Sequence, residues 1–142
     1  MINLIIRNVQ IACSLFFNMI SGYSAIQTMT RMFMAPINLK SKLLSMIERE
    51  IQNSSLEKPG LIMAKMNSLA DEDCINALYK ASKNNVKILL NVRGICMLVP
   101  GEKNLSENIK VVSIVDRFLE HSRIFYFQNG GNEELYLSSA DW

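Results

Sequence analysis

Lys65-Met66-Asn67-Ser68 and Arg93-Gly94 each close an apolar run of strand character, residues 61–66 and 86–92. In an open α/β sheet, ligands bind beyond the carboxyl ends of the strands. Two cations with amide and hydroxyl groups at that edge suit an anion, most simply phosphate. Gly94 leaves the backbone beside Arg93 open to a ligand. The alternative is a solvated or structural pair of cations. The single imidazole, His121, opens a further strand in Glu120-His121-Ser122-Arg123. Alternation puts His121 and Arg123 on one face, with Phe125 and Phe127 beyond them. An imidazole can attack, accept or donate a proton near neutral pH while a neighbouring cation neutralises phosphate oxygens. The alternative is a structural histidine. Glu120 could orient the ring, but adjacent side chains on a strand point apart.

These groups need elements to position them. Asp71-Glu72-Asp73 opens a helix whose last turn carries Lys80 and Lys83, so both ends suit the macrodipole. Ile75, Leu78 and Tyr79 give its buried stripe. With residues 61–66 before it and 86–92 after it, the unit is strand, helix, strand, which implies parallel strands and a right-handed crossover. Residues 109–115 read as another strand, 116–120 as a short helical or extended piece, and 122–127 as a strand. Asn129-Gly130-Gly131-Asn132 is a turn signal and residues 134–138 return antiparallel. The fold class is α/β, with a mixed sheet and flanking helices.

Upstream, apolar residues from Ile2 to Ile20 recur at three- and four-residue spacing, which makes one wide face of a helix ended by Gly22-Tyr23-Ser24. Arg7 follows the first apolar run, the wrong order for a targeting segment. Asn8, Gln10, Ser14 and Asn18 make it too polar to span a bilayer. Met32 to Ala35 reads as a strand stopped by Pro36. Asn38 is an N-cap candidate for a helix whose stripe is Leu39, Leu43, Ile47 and Ile51. Lys40 and Lys42 oppose the dipole in its first turn, where they face either solvent or a polyanion. The expected division is residues 1–24 as a helical tail and 25–142 as the main domain.

A chain of 142 residues is one domain's length and buries about two-thirds of its unfolded surface. With 49% apolar and 20% charged residues it is neither disordered nor of low complexity. Fifteen basic against 13 acidic residues give a net charge of +2, too small for a sequence-wide nucleic-acid binder. Cys13, Cys74 and Cys96 are odd in number and widely spaced, and with one histidine they make no zinc motif. They read as buried thiols of a reducing cytoplasm, and cytoplasmic is the expected location. The nine methionines read as flexible core filler.

The tail sharpens the picture. His121-x-Arg123, a strand, a Gly-rich hairpin and then Ser138-Ser139-Ala140-Asp141-Trp142 resemble half of a phospholipase D–type site. That superfamily places His-x-Lys on one strand and a small-residue segment ending in Asn or Asp on the next, where backbone and hydroxyl groups meet phosphate. Arg123 stands where Lys is usual.

Six segments together resemble the polyphosphate kinase family, in its order and spacing. They are Leu15-Phe16-Phe17-Asn18-Met19-Ile20-Ser21-Gly22-Tyr23-Ser24, Ala35-Pro36-Ile37-Asn38-Leu39-Lys40, Ala64-Lys65-Met66-Asn67-Ser68-Leu69, Val92-Arg93-Gly94-Ile95-Cys96, Ser113-Ile114-Val115-Asp116-Arg117-Phe118-Leu119-Glu120-His121 and Ser138-Ser139-Ala140-Asp141-Trp142. The resemblance implies a phospholipase D–like C-terminal catalytic domain. The implied activity is reversible transfer of the terminal phosphate of ATP to polyphosphate through a phosphohistidine that this chain lacks. Arg93 then falls on an ATP-contacting arginine and His121 on the second active-site histidine. Arg123, Ser138 and Ser139 fall on neighbouring positions of the pocket, and Lys65 and Asn67 on the same rim. ATP and magnesium are implied, with no metal ligand identified on this chain. Implied partners are ATP or ADP, polyphosphate, and the complementary catalytic half or a homo-oligomer, with peripheral membrane association through the family complex and no nucleic acid. The chain reads as a truncated or split gene product or an excised fragment, incomplete and inactive alone. A non-catalytic remnant or polyanion-binding module is the alternative.

Overall fold

The computed structural model describes residues 2–23, 32–115, 117–118 and 120–142, with side chains from Ile11 onward. Two units are distinguished, Met1–Leu39 and Lys40–Trp142. The expected boundary at residues 24 and 25 lies outside the described residues.

In the first unit, helix α1 spans Ile2–Ile20. Gly22, at φ +78°, ends it. Gly22 N–H bonds the Met19 carbonyl and Tyr23 N–H the Asn18 carbonyl, a Schellman cap that uses glycine's access to positive φ. Ile11, Phe17 and Ile20 on this helix are each more than half exposed. The strand expected at Met32 to Ala35 does not form, since residues 32–34 are irregular and 35–38 a turn. The Met34 carbonyl accepts from Asn38 and Leu39 N–H, and Asn38 Oδ1 accepts from Met34 N–H at 2.7 Å. Met34 spends its backbone groups inside this turn and has none left for a ladder.

The second unit is a sheet with helices. Its elements are α2 (Leu39–Asn53), β1 (Leu61–Met66), α3 (Glu72–Lys83), β2 (Lys87–Val92), β3 (Ile109–Val112), β4 (Arg123–Phe127) and β5 (Glu134–Ser138). The order across the sheet is β3-β2-β1-β4-β5. Strands β1, β2 and β3 are parallel, β4 runs antiparallel to β1, and β5 antiparallel to β4. The mixed α/β class and the βαβ unit are as the sequence predicts.

Helix α3 is capped at both ends. Asp71 accepts from Cys74 N–H at its N-terminus. At its C-terminus Asn85 takes φ 64° while Asn85 and Val86 N–H bond the Ser82 and Ala81 carbonyls. Its buried residues are Cys74, Ile75, Leu78, Ala81 and Ser82, with Tyr79 at the edge. Lys40 at the start of α2 pairs with Asp71 and Asp73, so this cation joins two helix N-termini. On α2 the buried stripe is Leu43, Met46, Ile47 and Glu50. Glu50, 1% exposed, accepts from Leu61 N–H and Asn129 N–H and so fixes α2 to the start of β1 and the end of β4.

Strand β3 stops at Val112, short of the expected residue 115. Its ladder follows β2 only as far as Asn91↔Val112, and Ser113 Oγ turns to donate to the Arg93 carbonyl. The expected piece at 116–120 includes residues 116 and 119, outside the described set. Asn129–Gly131 forms one 3-10 turn between β4 and β5. Only Cys74 of the three thiols is buried, Cys13 being intermediate and Cys96 exposed. Cys96 lies in an exposed segment between Ile95 and Met97, where its Sγ donates to the Leu98 carbonyl at 3.5 Å. Met34, Met46 and Met66 are core filler as expected, whereas Met63 and Met97 are exposed.

One face of the sheet is packed, with Ile62, Met66, Ile88, Leu90, Val92, Phe125 and Phe127 each at most 2% exposed. On the other face Met63, Val112, Leu135 and Leu137 are exposed.

Candidate functional site

Strand directions gather the candidate residues. Parallel pairing sets Met66 beside Val92, so β1 and β2 deliver Asn67 and Arg93 to one edge. Strand β4 runs the other way, so its beginning reaches that same edge, and His121 lies just before it. Strand β5 reverses again and brings Ser138 level with Arg123. Residues from four strand ends thus meet at a single rim, which frames a cavity of about 830 Å³. Lys65, Asn67, Arg93 and His121 line it, together with Glu120 and Ser122. Ile114, Val115 and Phe118 add an apolar wall that sequence reasoning missed.

The cations differ in their state of compensation. Lys65 Nζ lies 3.0 Å from Glu120 Oε1 and 3.2 Å from Ser122 Oγ. Two hydrogen bonds from Ser122, and then Lys65, hold the Glu120 carboxyl down at about 2. Glu120 is therefore committed to Ser122 and Lys65. Arg93 Nε and Nη2 both donate to Asn67 Oδ1, at 3.0 and 2.5 Å, and Nη1 donates to the Glu120 carbonyl at 3.2 Å. All three contacts are to neutral oxygens. Among the described residues no carboxylate pairs with Arg93, so none of them neutralises its guanidinium at the cavity.

Gly94 serves the protein backbone. A Cβ there would stand 3.1 Å from the Asn67 carbonyl oxygen, which already accepts from Gly94 N–H at 2.8 Å. The glycine lets two backbone segments approach, where the sequence predicts room for a ligand.

Arg123 is placed differently from Arg93. It is 7% exposed and does not line the cavity. Its Nε and Nη2 bind the two carboxylate oxygens of Asp141 at 2.9 and 3.0 Å. Its Nη1 lies 2.8 Å from His121 Nδ1, 3.3 Å from Nε2, and 2.8 Å from the His121 carbonyl oxygen. The same guanidinium nitrogen thus lies against both ring nitrogens, and which of them carries the proton depends on the tautomer. Burial alone would raise Asp141, but Arg123 and the N–H groups of Asn67 and Ser68 hold its carboxyl below the usual value. Ser138 and Ser139 do not line the cavity either. Ser138 Oγ accepts from Ala140 N–H at 3.0 Å, and Ser139 is exposed. Asp141 was legible only as the acidic end of a small-residue segment.

Among the described residues no group of three or more His, Cys, Asp or Glu is placed to hold a metal ion. No helix among them is long and apolar enough to cross a membrane.

Residues 32–142 match the family described as Polyphosphate kinase C-terminal domain 2. The chain belongs to the polyphosphate kinase family. It is 52% identical over 126 residues to the polyphosphate kinase of Synechocystis sp., covering 89% of this chain and 17% of that protein. With the Pseudomonas aeruginosa polyphosphate kinase the identity is 55% over 126 residues, covering 89% and 18%. A crystal structure of polyphosphate kinase from Porphyromonas gingivalis superposes with a TM-score of 0.85 and 44% identity, covering 92% of this chain and 20% of that one. The chain therefore spans about a fifth of the length of these polyphosphate kinases, or less.

Proposed function

We propose that this polyphosphate kinase segment supplies one half of a phosphoryl-transfer site. It would act on the terminal phosphate of ATP and on polyphosphate, and would face a phosphohistidine carried by a complementary half. The observation that carries this reading is the convergence of Arg93, free of any carboxylate among the described residues, with His121 at one cavity. Phosphoryl transfer depends on positioning and charge neutralisation. Arg93 would donate to the phosphate oxygens as negative charge builds on them. The attacking histidine nitrogen would form a bond to the terminal phosphorus while the bond to the bridging oxygen breaks. The electron pair of that bond stays on ADP, where a ring N–H of His121 would donate to the bridging oxygen.

Arg123 carries its charge onto Asp141, so in this scheme it holds His121 and leaves the phosphate to Arg93. Ser138 shapes the approach of Asp141 through Ala140. The described residues form no cage for magnesium, whose usual site in such reactions includes the nucleotide phosphates.

The experiment is ATP–polyphosphate exchange, measured with the chain alone and with the complementary half added. Exchange only in the mixture, lost in His121→Ala, supports the half-site. Robust turnover by the chain alone overturns it. Polyphosphate affinity that survives His121→Ala and vanishes in Arg93→Ala, with no exchange in any mixture, favours a polyanion-binding module.

A further inference from the structure

Asp141 touches both arms of the site without lining the cavity. Its Oδ1 accepts from Asn67 N–H at 2.8 Å, and Asn67 is the residue that holds Arg93. Both of its oxygens bind Arg123, and Arg123 in turn reaches His121 Nδ1 and the His121 carbonyl. Asp141 itself is held on both sides. Ser138 Oγ takes the Ala140 N–H before it. After it, the Trp142 ring packs on Phe125 at 4.8 Å and the Trp142 carbonyl accepts from Ala70 N–H at 2.9 Å. A carboxylate with every neighbour fixed can transmit position, because its partners' rotamers are locked by the same contacts.

We propose that Asp141 is a positioning residue that sets Arg93, through Asn67, and His121, through Arg123, in register with each other. This inference rests on the reading that the cavity receives phosphate. Its sign separates it from simple electrostatics. An aspartate beside an anion site repels the anion, so removing its charge alone would strengthen phosphate binding. If Asp141 works by position, removing its charge weakens binding instead.

The test uses the 142-residue chain with inorganic tripolyphosphate as probe, followed by calorimetry. Because the chain has one histidine, its ring resonances can be read without assignment ambiguity in the ligand-free protein. Asp141→Asn is expected to bind about tenfold more weakly, as for a lost charge-assisted contact, and to move the His121 ring signals. Affinity equal to or above wild type, with unmoved ring signals, overturns the proposal. If wild type itself does not bind tripolyphosphate, the phosphate reading fails, and the ring signals alone decide the inference. Unmoved signals in Asp141→Asn then overturn it, and displaced signals uphold it. If Asp141→Asn shows no cooperative unfolding transition, Arg123→Lys decides. It keeps a cation on Asp141 but loses the Nη1 contact with His121, so displaced ring signals are expected and unchanged ones overturn the relay. A residue that only stabilised the fold would change the unfolding midpoint and leave the ring signals in place.

Discussion

Arg93 gives two of its guanidinium hydrogen bonds to a single atom, Oδ1 of Asn67, at 3.0 and 2.5 Å. Asn67 in turn receives Gly94 N–H on its carbonyl and offers its own N–H to Asp141. A neutral amide thus orients a cation without cancelling its charge. An acidic residue at the same place would orient Arg93 equally well and neutralise it. In the proposed half-site, the choice of amide over carboxylate is what would leave the rim able to attract an anion.

Asn67→Asp is therefore expected to weaken tripolyphosphate binding by about tenfold, by closing Arg93 into an ion pair. Asn67→Ala frees the guanidinium but keeps its charge, so the loss is expected to be smaller, about threefold, and to come from lost orientation. Calorimetry on both variants at one salt concentration distinguishes them. An aspartate variant that binds as well as the alanine variant would contradict the role given to the amide.

The Glu120–Lys65 contact predicts a pH dependence of stability. The Glu120 carboxyl ordinarily titrates at 4.5 and is held at about 2 by Ser122 and then Lys65. A carboxyl lowered in the folded state stabilises it above the unfolded value, and that contribution fades as pH falls through the folded value. The urea midpoint of wild type should exceed that of Glu120→Gln at pH 6. The gap should shrink between pH 4.5 and 2. A gap that stays constant over that window removes the assignment.

Much of this arrangement is legible from the residues. The acidic start and basic finish of α3 mark its ends, and the apolar runs either side mark parallel strands. From that pairing alone, Lys65, Asn67 and Arg93 must share a rim. Other features depend on partners distant in sequence. Alternation puts Arg123 on the buried face with Phe125 and Phe127, but only the β4–β5 register brings it Asp141 as a partner. Glu50 is hidden in a stripe read every four residues, because 3.6 residues per turn rotate that stripe through Leu43, Ile47 and Glu50. Met32 to Ala35 has strand composition, yet the Asn38 side chain takes the N–H a ladder would need.

The thiols should separate by accessibility. Burial, with help from Asp71, pushes Cys74 up to about 12, so it stays a protonated, unreactive thiol. Cys96 is exposed. Reaction with an aromatic disulfide reagent at pH 8, read by mass spectrometry of peptides, should label Cys96 at once. Cys74 should be labelled only at the rate of unfolding. Equal rates would show that the α3 stripe opens freely.

Glu50 offers the sharpest test of the core. Its Oε1 accepts from Leu61 N–H at 2.9 Å and its Oε2 from Asn129 N–H at 2.8 Å, in a side chain 1% exposed. Glutamine has nearly the same shape but only one acceptor. In Glu50→Gln one backbone N–H must face the amide N–H₂, leaving buried donors without an acceptor. The expected cost is about 1–3 kcal/mol in urea unfolding. Gly60→Ala addresses the same contact from the other side, since its Cβ would stand 3.0 Å from Glu50 Oε1 and 3.1 Å from the Glu50 carbonyl oxygen. The two changes disturb one junction, so the double variant should lose less than the sum of the singles. A Glu50→Gln chain as stable as wild type would show that the carboxylate does not tie α2 to the strands.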